Sequence, residues 1–511
     1  RATQGLANYI IKQGAADKGV AIAYDSRHMS PEFAMEAAMT LAANGIKAYK
    51  FESLRPTPEL SFAVRELGCV AGINITASHN PPEYNGYKVY WEDGAQFTPP
   101  HDKGVTEEVL AIEDLSTVKT TDEASALAAG KYQVIGKEID DKYIAQVKAQ
   151  VVNQKAIDEM QDQITIIYTP LHGTGNIPAR RVMKELGFTH VYVVPEQELP
   201  DGDFPTVSYP NPEAAEAFAL GLKLAKEKNA DLVLATDPDA DRLGVYVKDA
   251  KSGEYIPLTG NMSGSLLCEY VLSQKQAAGK IPADGQVVKS IVSTNLIDAV
   301  AKSYGVELIE VLTGFKWIGK QILKNETTGK GTYLFGMEES YGCLIGTYAR
   351  DKDAISATAA LCEAAAYYKQ KGMTLWDAMI AMYEKYGYYK DAVKSIGLSG
   401  IEGLAKIQSI METLRQNTPA EVGGYKVVSA RDYKLDTIKD MATGEVKPTG
   451  LPASNVLYYD LEDNAWICVR PSGTEPKIKF YYGVKGASLE DADAKSKALG
   501  EAVMAMVDTM M

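Results

Sequence analysis

Short apolar runs typical of buried β-strands alternate along most of the chain with longer stretches of helical character. The strands are predicted at 20–24, 46–51 and 70–75, at 164–168, 191–194 and 232–235, and at 287–292, 306–312 and 332–335. The helices that separate the first two strands of each set are predicted near 32–44, 179–186 and 296–303. Strands that alternate with helices indicate parallel sheets with crossover connections. The pattern therefore predicts an α/β fold with three similar domains.

The C-terminal part of the chain departs from this repeat. Its predicted elements are a helix at 401–416, β runs at 465–469 and 478–482, and a closing helix at 489–506. These elements predict a smaller α+β domain. We place the four domains at 1–158, 159–257, 258–388 and 389–511. Residues 116–129, rich in Ser, Thr, Asp and Ala, are expected to form an exposed excursion of the first domain.

Each repeat ends its third strand in a polar loop. The three loops cover residues 77–81, 237–242 and 338–342. Ligands of α/β sheets collect at the carboxyl ends of the strands. We therefore expect mixed or parallel sheets arranged so that the three loops line one central cleft.

Composition and charge narrow the classes of function. The 511 residues include 53 Lys and Arg against 67 Asp and Glu, a formal net charge of −14. An acidic chain without a basic run argues against nucleic acid or an anionic membrane as the main partner. No apolar window reaches the ~18 residues of a membrane span. The five scattered cysteines indicate buried thiols in a reducing, cytoplasmic compartment rather than a disulfide framework.

The loop 237–242, which reads Asp-Pro-Asp-Ala-Asp-Arg, is the strongest chemical signal. Carboxylates at alternate positions of an extended segment point the same way, and three converging charges need a hard divalent cation. A calcium loop does not fit, because Arg242 and Lys248 stand where that motif needs Gly and Glu. A solvated acidic turn stays open as the alternative. The expected ligands are Asp237, Asp239 and Asp241.

The loop that follows strand 70–75 combines three reactive groups. It brings the hydroxyl of Ser78, the imidazole of His79 and the amine of Lys88 close together in sequence. A serine can act as a nucleophile when a base and a charge stabiliser lie nearby. The alternative is a turn in which Ser78 and Asn80 bond only their own backbone.

Two later loops suit a phosphorylated, hydroxylated ligand. Residues 470–474 read Arg-Pro-Ser-Gly-Thr, which offers a guanidinium, two hydroxyls and a flexible backbone to a phosphate. A hairpin turn with an exposed Arg is the alternative. Glu338 and Ser340 can bond sugar hydroxyls, although Glu-Glu-Ser is also an ordinary surface turn.

Two incomplete motifs keep a nucleotide-binding class open. Residues 314–320 have phosphate-loop spacing, but Gln321 stands where Ser or Thr must hold Mg²⁺. Residues 173–178 follow a strand as a dinucleotide fingerprint does, but Pro178 replaces its third Gly. An ATP-consuming ligase or kinase, or a sugar-phosphate binding protein without catalysis, are therefore the rival classes.

Taken together, the loops resemble those of the α-D-phosphohexomutases over nearly the whole chain. The matching stretches are 76–81 for the phosphoserine loop, 237–242 for the magnesium loop, 338–342 for the sugar loop and 470–476 for the phosphate loop. They occur in the family's order. Residues 313–316 and Glu-Glu-Ser look more like the branch that acts on glucose phosphates than the branch that acts on glucosamine phosphates. The resemblance implies that the four domains carry the phosphoserine, the metal, the sugar and the phosphate, in that order.

The implied activity is the reversible interconversion of glucose 1-phosphate and glucose 6-phosphate by an isomerase. It would proceed through a phosphorylated Ser78 and a hexose 1,6-bisphosphate, with mannose or pentose phosphates as alternative substrates. The resemblance implies Mg²⁺, held by the three aspartates and by the group on Ser78, and glucose 1,6-bisphosphate as an activator. His79 and Lys88 are implied in proton transfer, and Arg242 in adding positive charge.

The remaining implications concern substrate binding and partners. The implied substrate-binding residues are Thr313, Gly314, Lys316, Glu338, Ser340, Arg470, Ser472, Gly473 and Thr474. Small-molecule sugar phosphates are the expected partners, without nucleic acid or membrane, and the protein is expected to be a monomer or homodimer. The family's first strand and its Gly- and Arg-containing segment have no counterpart before Arg1, so the first domain is expected to lack its N-terminal part.

Overall fold

The computed structural model describes residues 1–398, 400–472 and 476–510. The described chain forms two compact units. The first comprises Arg1–Ser290, Tyr304–Ile309 and Gly314–Ala378, and the second comprises Ile291–Ser303, Glu310–Thr313 and Met379–Met511. None of the helices in this described part combines the length and apolar character needed to cross a membrane.

The N-terminal region forms a mixed five-stranded sheet with crossover helices. Its strands are β1 (Val20–Tyr24), β2 (Ala48–Phe51), β3 (Ala71–Ile75), β4 (Tyr87–Trp91) and β5 (Tyr132–Ile135). Its helices are α1 (Ala2–Lys12), α2 (Ser30–Ala43), α3 (Thr57–Glu66), α4 (His101–Leu110), α5 (Glu123–Ala128) and α6 (Lys137–Lys148). The strand order is β4-β3-β1-β2-β5, and only β4 is antiparallel to its neighbour.

A second five-stranded sheet follows after helix α7 (Gln154–Met160). Its elements are β6 (Thr165–Thr169), α8 (Asn176–Leu186), β7 (His190–Val193), α9 (Ala219–Lys228), β8 (Leu232–Thr236), β9 (Leu243–Lys248) and β10 (Tyr255–Leu258). The order β10-β9-β8-β6-β7 combines a parallel half with an antiparallel edge.

The third sheet has four strands in the order β12-β11-β13-β14. Its region contains α10 (Gly260–Ala277), β11 (Gly285–Ser290), α11 (Leu296–Ser303), β12 (Glu307–Val311), α12 (Phe315–Thr328), β13 (Thr332–Glu338), β14 (Gly342–Ile345), α13 (Ala354–Gln370) and α14 (Leu375–Tyr386). Strand β13 is parallel to β11 and antiparallel to β14.

The C-terminal region is rich in antiparallel strands. Its elements are β15 (Tyr388–Gly397), α15 (Gly400–Gln416), β16 (Glu421–Val422), β17 (Tyr425–Asp432), β18 (Thr437–Asp440), β19 (Val446–Lys447), β20 (Leu457–Leu461), β21 (Trp466–Pro471), β22 (Lys477–Gly486) and α16 (Leu489–Asp508). Strand order β15-β22-β21-β20-β17-β18-β19 makes one sheet, with β16 paired to β17. The predicted α/β class, with three similar domains and a sheet-rich fourth, is confirmed.

The first three sheets position polar side chains in the same way. In each, a buried parallel strand turns back into an antiparallel neighbour, so that β3 is followed by β4, β8 by β9 and β13 by β14. Each predicted polar loop is the turn of such a hairpin. Strands β3 and β8 are buried at every residue, as expected for strands covered on both faces. Each loop thus follows a deeply buried strand.

Candidate active site

Ser78 lies in the turn between β3 and β4, half-buried. Its backbone adopts a φ of +53°, in the left-handed region that is costly for any residue except glycine. Its Oγ donates to Asp237 Oδ2 at 2.9 Å, and His79 Nδ1 lies 3.4 Å from the same Oγ. The hydroxyl therefore sits between an imidazole and the first carboxylate of the Asp loop.

Arg27, which follows β1, supports this turn. Its side chain is fully buried, and its guanidinium donates to four backbone carbonyls of the turn. Those carbonyls belong to Ser78, Asn80, Pro81 and Tyr84. A planar group with five donors suits a loop whose carbonyls have no strand partner. Sequence reasoning missed Arg27, because the only available signal was a charged residue soon after an apolar strand.

The turn between β8 and β9 holds the three aspartates. Asp237 and Asp239 are fully buried and Asp241 is 2% exposed. One carboxylate oxygen from each residue lies within 4.8 Å of the others. The backbone N–H of Arg242 donates to Asp237 Oδ1 at 3.1 Å, and Ala240 adopts a φ of +51°, which closes the turn. The alternate carboxylates converge, as the spacing predicts.

Glycines let the neighbouring loop pack against this turn. A Cβ on Gly173 would lie 2.4 Å from the Cα of Pro238, and Thr174 N donates to Pro238 O at 2.8 Å. A close backbone approach of this kind requires glycine. The Gly-rich run at 173–178, which resembles a dinucleotide motif in sequence, therefore packs against the Asp turn.

The pKa values of the three aspartates are shifted in different directions. Burial, followed by the charges of Asp239 and Asp241, raises the pKa of Asp237 well above its usual value. Burial and Asp239 also raise the pKa of Asp241. Burial also acts to raise the pKa of Asp239. The charge of Lys88, whose Nζ lies 2.7 Å from Asp239 Oδ2, outweighs the effect of burial, so the pKa of Asp239 is lowered. The ion pair with Lys88 thus dominates at Asp239, whereas burial and repulsion between the carboxylates dominate at Asp237 and Asp241.

The triad passes a simple test for a metal site. Asp239 Oδ1 and Asp241 Oδ1 are buried and accept no hydrogen bond from the described residues. Buried acceptors without partners are costly and rare in native proteins. Carboxylate oxygens are the ligands that hard divalent cations prefer. The three aspartates can therefore hold a divalent metal ion.

Two further side chains, absent from the sequence prediction, complete the surroundings of the triad. Lys352 Nζ lies 3.1 Å from Asp241 Oδ2 and 2.9 Å from Asp351 Oδ1. Burial disfavours its charge, yet Asp241, Asp351 and Glu338 together raise the pKa of Lys352. Thr57, at the start of α3, donates from Oγ1 to Asp239 Oδ2 at 2.7 Å. In the sequence, only the charged run at 350–353 could have drawn attention to Lys352.

Arg242 lies beside the triad. Its Nη1 donates to Glu213 Oε1 at 3.0 Å, and its Nε is 3.9 Å from Asp241 Oδ1. Burial alone would lower the pKa of Arg242, but Asp241 and Glu213 raise it. Arg242 therefore keeps its positive charge next to the Asp turn.

The structure brings together two of the predicted sugar-binding residues. Glu338 is the last residue of β13, and its Oε1 accepts from the backbone N–H of Gly314 at 2.7 Å. Gly314 has a φ of +114° at the start of α12. Ser340 lies half-buried in the turn that follows β13. Lys316 instead places its Nζ 5.5 Å from the ring centre of Trp317. Burial raises the pKa of Glu338.

The other predicted substrate residues belong to the second compact unit. Arg470 lies near the end of β21, with Nη1 3.4 Å from the Tyr481 hydroxyl. The backbone N–H of Ser472 donates to Lys477 O at 2.9 Å. Thr313 Oγ1 is buried without a hydrogen-bond partner among the described residues. Gly473 and Thr474 lie outside the described residues.

Family models match most of the chain. Models of the phosphoglucomutase/phosphomannomutase alpha/beta/alpha domains I, II and III match residues 1–116, 141–253 and 259–386. The three matches follow the order of the three α/β regions.

Individual proteins match over almost the full length. A phosphoglucomutase of Staphylococcus saprophyticus is 36% identical over 97% of this chain and 88% of that relative. A protein of Haemophilus influenzae named "Probable phosphomannomutase" is 37% identical over 96% of this chain and 93% of that relative. The solved open form of a Paramecium phosphoglucomutase, parafusin, has the same fold, with a TM-score of 0.70, 18% identity and coverage of 100% of this chain and 90% of that chain.

Proposed function

This chain belongs to the phosphoglucomutase/phosphomannomutase family, and from that premise we propose that it interconverts glucose 1-phosphate and glucose 6-phosphate through a phosphorylated Ser78. Membership confirms the predicted family and the mutase class of enzyme. The observation that carries the proposal is the 2.9 Å contact between Ser78 Oγ and Asp237, the first residue of the buried triad. A nucleophile beside a metal-binding set is the arrangement that phosphoryl transfer requires.

The metal of the proposal is Mg²⁺, which Asp237, Asp239 and Asp241 would hold together with the group on Ser78. When bound, Mg²⁺ supplies positive charge to the transferring group. The three carboxylates leave coordination positions free for a phosphate oxygen, as Mg²⁺ usually requires. Arg242 adds a fixed positive charge beside the Asp turn.

Proton transfer at Ser78 is assigned to His79. Burial, followed by Arg242, lowers the pKa of His79 to about 3, so its imidazole is neutral near pH 7. Its Nδ1, 3.4 Å from Ser78 Oγ, is placed to relay a proton to or from this oxygen without retaining it near pH 7. Burial opposes the charge of Lys88, but Asp239 and Asp241 raise its pKa, so Lys88 is a protonated amine near pH 7 and is the second candidate for proton transfer, as a donor.

The sugar has to be held in two orientations. Glu338 and Ser340 are assigned to its hydroxyls, and Thr313, Gly314 and Lys316 are assigned to substrate binding with them. The phosphate loop binds whichever phosphate is not reacting, through Arg470, Ser472, Gly473 and Thr474. A bisphosphate that leaves early would leave Ser78 without phosphate, so added glucose 1,6-bisphosphate should act as an activator. The domain boundaries at 1–158, 159–257, 258–388 and 389–511 stay predictions.

Intact-protein mass tests the proposal against its rivals. The purified protein should weigh about 80 Da more than its sequence, and excess hexose monophosphate should remove that mass. A kinase or ligase would consume ATP, and a binding protein would carry no phosphate on Ser78. Turnover of glucose 1-phosphate should exceed turnover of mannose 1-phosphate in kcat/KM. The opposite order would favour the phosphomannomutase activity named for the Haemophilus influenzae relative.

We predict that Arg470→Ala weakens binding of the distal phosphate and lowers kcat/KM by about one to two decades. Charged hydrogen bonds to phosphate are worth roughly 1.5–3 kcal/mol each, which corresponds to that range. The variant should release the bisphosphate more often, so added glucose 1,6-bisphosphate should restore part of its rate. Steady-state kinetics with and without this compound measure both effects.

A matched control is Lys439→Ala, which removes an exposed cation from β18 of the same region. It should leave the KM for glucose 1-phosphate unchanged. An unchanged KM in the Arg470 variant, together with no response to added bisphosphate, would contradict the assigned role.

A further inference from the structure

A large polar cavity lies in the first compact unit, and none of its lining residues belongs to the Ser78 and Asp turns. Its volume is about 1050 Å³. It is bounded by the C-terminal end of α3, by α6, by the end of α10, by α12 and by residues 346–348. Cavities that hold small-molecule ligands typically measure about 300–1000 Å³, so this one has room for a metabolite.

The carboxylates of the cavity are already engaged by protein groups. Glu66 accepts from Lys142 at 2.8 Å, and Glu326 is paired with Arg350. Asp284 accepts from the backbone N–H of Gly331 at 3.1 Å and from Thr332 Oγ1 at 2.9 Å. Glu326 also lies 3.7 Å from Arg65 Nη2, whereas Asp284 is bonded by neutral groups and keeps its negative charge.

Two of the cations that line the cavity lack a partner. Within the described part of the chain, the ammonium groups of Lys275 and Lys280 form no ion pair or hydrogen bond. Lys275 is half-buried, and burial together with the charge of Lys280 lowers its pKa. Arg65 adds a third cation, which donates from Nη1 to Thr347 O at 2.8 Å and Tyr348 O at 3.0 Å and has its Nη2 3.7 Å from Glu326 Oε1. Lys275 and Lys280 are therefore the cations of the cavity that no close acid of the described residues occupies.

We propose that this cavity is a second ligand site, for a phosphorylated small molecule that also carries hydroxyl groups. Two ammonium groups and a guanidinium match the charge of phosphate better than that of a single carboxylate. Gln146 on α6 and Gln150, which follows that helix and donates from Nε2 to Gln146 O at 3.0 Å, line the same space and offer neutral polar groups for hydroxyls. The site is distinct from the sugar phosphate site at Ser78 and does not depend on the assigned activity.

The test is binding of labelled inorganic pyrophosphate to the whole protein, measured by equilibrium dialysis in chelator so that no metal contributes. The double variant Lys275→Gln/Lys280→Gln should lose one bound equivalent or bind it about 10- to 100-fold more weakly, since two charged contacts are removed. The matched control, Lys223→Gln/Lys226→Gln, removes two exposed lysines of α9 and should bind as the wild type does.

Turnover of glucose 1-phosphate by the Lys275/Lys280 variant should stay near the wild-type value, which separates this site from the Ser78 site. Equal stoichiometry and affinity in the two double variants would overturn the proposal. Displacement of the label at the cavity identifies the ligand class. Ribose 1,5-bisphosphate should displace it at a lower concentration than inorganic phosphate does, and the reverse order would overturn the assignment to a hydroxylated phosphate ester.

Discussion

Replacement of Ser78 by alanine is expected to lower kcat by about 10³-fold or more, equivalent to roughly 4 kcal/mol in the barrier, while the protein stays folded. The proposed reaction passes through a covalent bond to Ser78 Oγ, and no other group can take over that bond. The fold should survive, because the change removes one hydrogen bond, to Asp237 at 2.9 Å, from a half-buried turn. Turnover of glucose 1-phosphate measures the loss of activity, and the thermal unfolding midpoint measures whether the fold is retained.

Ser252→Ala is the matched control for this change. Ser252 also donates to an aspartate, Asp249 at 2.6 Å, but in a surface turn. It should retain wild-type turnover and lose little stability. The intact mass of the Ser78 variant should equal its sequence mass, without the added phosphate. Near wild-type turnover in that variant would rule out the phosphoserine.

Asp239→Asn is expected to weaken Mg²⁺ binding by roughly 10- to 100-fold and to cut activity, with partial rescue at high Mg²⁺. The amide carbonyl can still coordinate, but the site loses one negative charge. The same change removes the ion pair between Asp239 Oδ2 and Lys88 Nζ, which are 2.7 Å apart. Asp241, with Oδ2 3.9 Å from Lys88 Nζ, then remains as the acidic neighbour of Lys88. Activity should be followed as a function of Mg²⁺ concentration, which separates weaker binding from a lower maximum.

The control for lost negative charge is Asp158→Asn, on the exposed face of α7. Its dependence on Mg²⁺ should match the wild type. Full activity of chelator-treated wild-type protein would show that no metal is needed, and an unchanged Mg²⁺ requirement in the Asp239 variant would remove that residue from the site.

The sequence predicted the buried strands well, because strands covered on both faces are continuous apolar runs. Predicted strand 232–235 lies within β8 (Leu232–Thr236), and predicted helix 296–303 coincides with α11. The antiparallel partners β4, β9 and β14 escaped prediction. These strands carry more mixed patterns, and their place is fixed by pairing with a buried neighbour.

Some residues of the site could be predicted from the sequence and others could not. Groups that lie in one turn, such as the three aspartates, could be read from their spacing. Arg27, Thr57 and Lys352 could not, since each reaches the site from another element and is recognised only by its contacts. Glu338 and Gly314 are 24 positions apart, yet one hydrogen bond joins them. The spacing of residues in the sequence does not reveal such contacts between distant elements.

The left-handed backbone of Ser78 has a consequence for how the protein balances stability against reactivity. A glycine would hold a φ of +53° with less strain, so the native serine is the less stable choice at its own position. Ser78→Gly should therefore unfold at a higher temperature than Ser78→Ala, although both lack the nucleophile. A difference of the opposite sign would show that the turn is not strained. Selection for greater stability alone would thus remove the residue on which turnover depends.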